Sequence, residues 1–236
     1  MQIRTNFNRM IRMIVFDMAG TTVNEDNVVY KTLQKAINDN GFNFSFEQVL
    51  AEGAGKEKLQ AIRSILALDQ IHDKNISEEV YKHFIILLEE AYQYLNIQPQ
   101  PNALELFHIL KSKNIITVLN TGYNTQTALT LIEKLGWEQG KDYDGLVTAD
   151  DVDKNRPDPD MILLAMKRFG VENSQQVVKV GDSSIDIEEG RNAGCLLNIG
   201  ITTGAHTFEQ LQSAHPDYII KDLMELLPII EKYRQI

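Results

Sequence analysis

The sequence predicts an α/β fold, a parallel sheet flanked by helices with an all-helical segment inserted near its start. Three observations predict it: short apolar runs recur along the chain, amphipathic stretches of helix length separate them, and one interval lacks any strand pattern. The runs fall at residues 13–16, 115–119, 146–148, 177–180, 196–201 and 218–220. The first, Met13-Ile14-Val15-Phe16, has no polar position, as suits a buried strand, and ends on Asp17. From about Asn24 to Gln98 the patterns are helical, over residues 28–40, 56–68 and 77–95. The last sets Val80, Phe84, Leu87, Leu88, Ala91 and Leu95 at three- and four-residue spacing, with Ser77 as its expected N-cap. Ile97-Gln98-Pro99-Gln100-Pro101 closes the interval, because prolines break a helix and favour an extended hinge. An insertion opening just after the first strand would hang over Asp17 as a lid.

Composition limits what such a fold can do. With 236 residues and 43% hydrophobic content the chain can bury a full core and a second, smaller domain. Its formal charge of -10 and the lack of a dense Lys/Arg block argue against nucleic acid or an anionic membrane as partner. An anionic substrate therefore needs a local cation. The single Cys195 excludes an intramolecular disulfide, and His72, His83, His108, His206 and His215 show no zinc-ligand spacing with it. A reducing cytoplasm is the expected location. Residues 1–12 lack the apolar core of a signal peptide, and no stretch approaches a membrane span.

In open α/β sheets the ligand crevice lies beyond the carboxyl ends of the strands. Asp17 stands at such an end, followed by Met18-Ala19-Gly20-Thr21-Thr22, and Asp182 stands at another, in Val177-Val178-Lys179-Val180-Gly181-Asp182-Ser183-Ser184-Ile185-Asp186. Two strand-end aspartates far apart in sequence suggest one shared metal site. Asp186 lies four residues after Asp182, so a helix opened by Ser183 would turn it toward the same place.

Four separated motifs occur in order: Asp17-Met18-Ala19-Gly20-Thr21, Asn120-Thr121-Gly122 after a strand, Arg156-Pro157-Asp158-Pro159-Asp160, and Gly181-Asp182-Ser183-Ser184-Ile185-Asp186. In these motifs the chain resembles the haloacid dehalogenase superfamily of hydrolases with a helical cap, over nearly its whole length. Ala19, where ordinary phosphatases carry a second aspartate, and Arg156, where most members carry lysine, make it similar to the phosphonoacetaldehyde hydrolase (phosphonatase) branch. The resemblance implies a Rossmann-like three-layer core of residues 1–23 and 99–236, with an inserted all-helical cap domain at 24–98. It implies a magnesium-dependent hydrolase of a small phosphorus-containing metabolite, working through an aspartyl-phosphate.

On that expectation Asp17 is the nucleophile, and Asp17, the Ala19 carbonyl, Asp182 and Asp186 surround Mg2+, which favours hard oxygen ligands. Gly20, Thr121 and the Gly122 amide meet the phosphoryl oxygens, and Arg156 supplies fixed positive charge and forked donors. Alanine at position 19 cannot protonate a leaving group. The phosphonatase mechanism instead uses a cap lysine that forms a Schiff base with an aldehyde, so that the imine accepts the electrons of the C–P bond. Aligning Gly55 and Arg63 with that family's cap motif puts Lys58 at the Schiff-base position, with Lys56 as a substitute. Ala61 falls where the family has histidine, which leaves a related carbonyl phosphonate or another substrate open. The alternatives are a phosphomonoester phosphatase and a non-catalytic metabolite-binding protein. Elsewhere, Cys195 should be a small buried packing residue without redox role, His206 a solvated loop residue and Tyr123 a cavity wall. An exposed part of the residue 77–95 face would allow a homodimer.

Overall fold

The computed structural model describes residues 11–234, the side chain of Arg234 excepted; residues 1–10, most of the segment searched for a signal peptide, lie outside the described residues. The elements in chain order are β1 (Met13–Asp17), β2 (Val23–Asn24), α1 (Val28–Asp39), α2 (Phe46–Gly53), α3 (Lys58–Ala67), α4 (Lys74–Tyr94) and β3 (Gln98–Pro99). They continue with α5 (Ala103–Ser112), β4 (Ile116–Thr121), α6 (Thr125–Leu135), β5 (Gly145–Thr148), α7 (Asp160–Arg168), β6 (Val177–Gly181), α8 (Ser184–Asn192), β7 (Leu197–Ile201), α9 (Phe208–Ser213), β8 (Tyr218–Ile220) and α10 (Leu226–Arg234).

Six strands form one parallel sheet in the order β5-β4-β1-β6-β7-β8. The α/β class with a parallel, Rossmann-like sheet is therefore the observed fold. Strand β1 is central because it is apolar on both faces: Ile14 and Phe16 join the core on one side of the sheet, Met13 and Val15 the core on the other. The first core continues through Phe107 and Trp137, the second through Val118, Val147, Met161 and Ile162, giving three layers. The winding reverses across β1, with β4 and β5 added on one side and β6, β7 and β8 on the other. Such a reversal opens a crevice beyond the carboxyl end of the central strand, which here is Asp17.

Helices α1 to α4 lie between β2 and β3, which pair antiparallel with Val23 opposite Pro99. The interval expected to hold no strand thus begins and ends in a two-stranded ribbon, and its two chain crossings run side by side. Three further details differ from the sequence reading. Helix α4 starts earlier, capped by the Asp73 carboxylate on the Asn75 amide; Ser77 is buried inside it, its hydroxyl donating to the Lys74 carbonyl and accepting from Arg63 Nε. Helix α3 starts at Lys58, because the Glu57 carboxylate accepts from the Leu59 and Gln60 amides and caps it, so Lys56 precedes the helix. Helix α2 was not expected, although Ser45 and Gln48 form a reciprocal capping box that is a readable start signal. Among the described residues no helix is long and apolar enough to cross a membrane.

Cys195 is buried beside the second core, and burial pushes its thiol up to about 12. We expect no reaction of the folded protein with a thiol-specific disulfide reagent at pH 8, and stoichiometric reaction once denaturant is added; rapid labelling of the native chain would contradict the packing described.

Candidate active site

Strands β1, β4 and β6 end at the same sheet edge, with Asp17 paired to Asn120 and Phe16 to Val180. This register brings three buried carboxylates together: Asp17, Asp182 and Asp186 each offer an oxygen within 4.8 Å of the others. After Asp17 the chain turns back sharply, the Thr22 and Val23 amides both donating to the Met18 carbonyl. Gly20 has φ +82° in this turn, and a Cβ there would run into the Asp182 carboxylate and the Gly204 backbone, so only glycine fits. Ala19 sits in the same turn, bridged to Val23. Asp182 accepts from the Thr21 hydroxyl at 3.2 Å and the Ala205 amide at 2.6 Å. Asp186 lies in the first turn of α8, where the Ser183 amide and hydroxyl both donate to it in a capping box.

Arg156 is the organising cation. Its side chain is 1% exposed and donates through Nη1 to Asp17 Oδ1 at 2.6 Å and through Nη2 to the Asn120 carbonyl and Oδ1 at 2.9 and 2.6 Å. Asp186 Oδ1 and Glu189 Oε2 each lie 3.0 Å from the same guanidinium. Lys179, also fully buried, reaches Asn120 Oδ1 at 2.6 Å, Asp186 at 3.0 Å and Glu189 at 3.2 Å. Four buried carboxylates (Asp17, Asp182, Asp186, Glu189) thus face two buried cations (Arg156, Lys179), a formal balance of 2 − 4 = −2.

The titration tendencies follow from this imbalance. Burial, with the nearby Asp186, raises Asp17 above its ordinary value despite Arg156 and Lys179. Burial and repulsion from Asp17 and Asp186 drive Asp182 well above the carboxylate range. Burial would raise Asp186 too, but Arg156 and Lys179 outweigh it and hold that group low. Two carboxylates that resist ionisation, in an all-oxygen donor set short of two positive charges, fit a hard divalent cation. Among the described residues this is the one such acidic group.

The helical segment reaches this edge through its loop at residues 54–57. Gly55 has φ +74°, and a Cβ on it would meet Ser183 and Ile185; a Cβ on Gly122 would lie 2.8 Å from the Lys56 carbonyl. Thr121, at the end of β4, accepts the Tyr123 amide on its hydroxyl at 3.2 Å. Lys58 is 6% exposed, its Nζ donating to the Lys56 carbonyl at 2.8 Å and standing 5.4 and 5.1 Å from the ring centres of Tyr30 and Tyr123. Burial lowers its pKa, with Asp17 and Glu57 opposing. The cavity before it has a volume of about 200 Å³ and is lined by Glu57, Lys58, Tyr81, Gly122, Tyr123 and Asn155 among others. The Lys56 amine points elsewhere, to Ser64 Oγ at 3.0 Å and Glu52 at 3.8 Å.

His206 differs from the solvated residue expected. It is buried behind the acidic cluster, its amide donating to the Asp182 carbonyl and its Nδ1 accepting from Ser184, and burial lowers its pKa. Lys179 and Glu189 were missed. Their signals were a lone lysine inside the apolar run 177–180 and a glutamate three residues after Asp186, on the same face of α8.

The family model for haloacid dehalogenase-like hydrolases matches residues 11–194. The chain belongs to this family. It is accordingly a hydrolase, and the non-catalytic alternative falls away. A phosphonoacetaldehyde hydrolase of Latilactobacillus sakei is 26% identical over 95% of this chain and 96% of its own. A protein of Dickeya dadantii named "Probable phosphatase IndB" is 27% identical over 91% of both. The crystal structure of a phosphonoacetaldehyde hydrolase-like protein from Oleispira antarctica superposes with a TM-score of 0.82 over 95% of this chain and 93% of that one, at 22% identity, and so shares the hydrolase fold.

Removing Lys179 tests the charge network directly. Lys179→Met leaves Glu189 and Asp186 with one cation instead of two, and breaking a buried pair costs about 3–5 kcal/mol. Urea denaturation should show a loss of that size; a change below about 1 kcal/mol would mean that the network is not energetically coupled.

Proposed function

We propose that this hydrolase cleaves the C–P bond of a small carbonyl phosphonate in a magnesium-dependent reaction, with residues 24–98 acting as a cap. The observation that carries the reading is the desolvated amine of Lys58 in a cavity beside Gly122 and Tyr123, within the electrostatic reach of Asp17. Burial shifts Lys58 toward the neutral amine, the form that attacks carbonyl carbon. Lys58 serves better than Lys56, whose amine is bound to Ser64 and Glu52.

In this reading Asp17, Asp182, Asp186 and the Ala19 carbonyl hold Mg2+, whose charge, when bound, lets an anionic nucleophile approach an anionic phosphoryl group. Asp17 attacks phosphorus and becomes the aspartyl-phosphate. Arg156 keeps the Asp17 carboxylate aimed and offers positive charge as the equatorial oxygens gain it. Gly20, Thr121 and Gly122 line the phosphoryl position. Ala19 supplies no acid, which suits a leaving group whose electrons are taken by a Lys58 imine rather than by a proton. Phosphomonoester hydrolysis is the second reading, favoured by Ala61: fully buried in α3, it puts a methyl where the resemblance has an imidazole.

Free phosphate released from phosphonoacetaldehyde with Mg2+, beside a panel of phosphomonoesters, separates the two. We expect phosphonate turnover that stops with EDTA and with Lys58→Ala. Phosphomonoester turnover indifferent to Lys58→Ala would establish the second reading instead.

A further inference from the structure

Beside Lys58 lies a buried row of hydroxyl and carboxyl groups that the reaction above leaves unused. Glu25, 3% exposed and just past the β2 hinge strand, accepts the Tyr92 hydroxyl at 3.0 Å and the Val29 amide at 3.0 Å on the same oxygen. The Tyr92 hydroxyl, from α4, is 3.2 Å from that of Tyr123, which follows β4. Tyr123 walls the 200 Å³ cavity and its ring lies 5.1 Å from Lys58 Nζ. Three segments distant in sequence thus form one continuous hydrogen-bonded path from a hidden carboxyl group to a residue that walls the cavity.

An acid buried here only to anchor a helix would not need a path to the substrate side. Glu25 faces Lys58 and Lys31 as its nearby cations; Lys58 in turn faces Asp17, Glu57, Glu25 and Arg156, and Tyr30 packs beside both. Lys31 is bound at the surface to Asp26 at 2.7 Å. Burial raises Glu25 to about 7, so that it can hold or release a proton near neutrality. Burial also drives Tyr30, Tyr92 and Tyr123 well above the usual phenol range, so the tyrosines stay neutral and pass protons without storing charge.

We infer that Glu25 is the proton reservoir for imine chemistry at Lys58, acting through Tyr92 and Tyr123. The inference rests on the Schiff-base reading. The neutral Lys58 amine adds to the carbonyl carbon, nitrogen losing one proton and oxygen gaining one to give the carbinolamine. With Glu25 protonated the donors turn round, the carboxyl donating to the Tyr92 oxygen and Tyr92 to Tyr123 across the same 3.0 and 3.2 Å contacts. That proton then leaves for the Tyr92 oxygen as Tyr92 passes its own to Tyr123 and Tyr123 passes its own to the carbinolamine hydroxyl. The C–O bond breaks with its electron pair on the departing water, and the nitrogen lone pair forms C=N. Glu25 is left a carboxylate and the iminium carries the matching positive charge. Hydrolysis of the iminium reverses these steps and returns the proton to Glu25. Glu25 touches no substrate, so its role is to position and supply the proton.

The test uses acetaldehyde, which has no phosphorus, with cyanoborohydride to trap the Lys58 imine, read by mass spectrometry of the Lys58 peptide across pH 5–9. Competitive acetylation of Lys58 by acetic anhydride, which needs no acid, reads the neutral amine separately. Wild type should show a bell-shaped trapping profile: neutral Lys58 grows as pH rises, and protonated Glu25 is lost as pH rises through about 7. Tyr92→Phe keeps the ring and cuts the path; Glu25→Gln keeps an acceptor for Val29 and Tyr92 and removes the proton. Both should trap about 10²-fold more slowly below pH 7, the low end for general acid catalysis, and lose the alkaline limb while acetylation persists. The double variant should be no slower than either single one. Trapping at the wild-type rate in both variants would overturn the relay, as would a wild type that traps nothing at Lys58. Trapping that depends on Glu25 in a protein releasing no phosphate from phosphonoacetaldehyde would uphold the relay and sink only the phosphonatase reading.

Discussion

The structure depends on one electrostatic constraint, the burial of four carboxylates at the end of a central strand with two cations to oppose them. Each buried ion pays a desolvation cost of several kcal/mol that only close, well-directed partners offset. Arg156 meets it by donating to Asp17 and to both oxygens of Asn120 while its charge lies 3.0 Å from Asp186 and from Glu189. Lys179 ties the far side of the same group together. The parallel sheet serves this arrangement: β4, β1 and β6 run in register, so Asn120, Asp17 and Asp182 reach one edge without any long loop having to be ordered around them.

The helical segment answers a different need. A sheet edge that gathers charge is open to water, and a cover must approach the backbone closely without adding side chains. Glycines at 55 and 122 make that approach possible, one against the start of α8 and the other beneath the Lys56 carbonyl. The ribbon of Val23–Asn24 with Gln98–Pro99 keeps the two connections to the sheet adjacent, and the segment meets the core again through its loop at residues 54–57 and through Tyr92 on Tyr123.

Much of this was legible in the chain because burial on both faces of a strand leaves an unmistakable run. Met13–Phe16 and Val177–Val180 read as strands from their apolar runs, and the carboxylates following them were thereby placed at strand ends, together with Asp186 one helical turn on. The start of α4 was misread for a physical reason: its apolar repeat begins at Val80, whereas the cap that sets its start is Asp73, in an exposed turn that buries nothing. Helix α2 buries only Val49 and Gly53, so its pattern is too sparse to show periodicity. Glu25, Lys179 and Glu189 escaped because a charge in a sequence reads as surface. Only the fold reveals that each has a buried counterpart from another strand or helix.

The contact between Lys58 and the Lys56 carbonyl ties two properties together. That carbonyl belongs to the stretch of backbone lying over Gly122, so the bond that steadies the lysine amine is made by the same loop that docks on the sheet edge. Burial is what lowers the affinity of that amine for a proton, so a substitution that lifted the loop from Gly122 and let water in would raise it again. The seating of one loop on one glycine thereby governs the proton affinity of an amine two residues further along the chain.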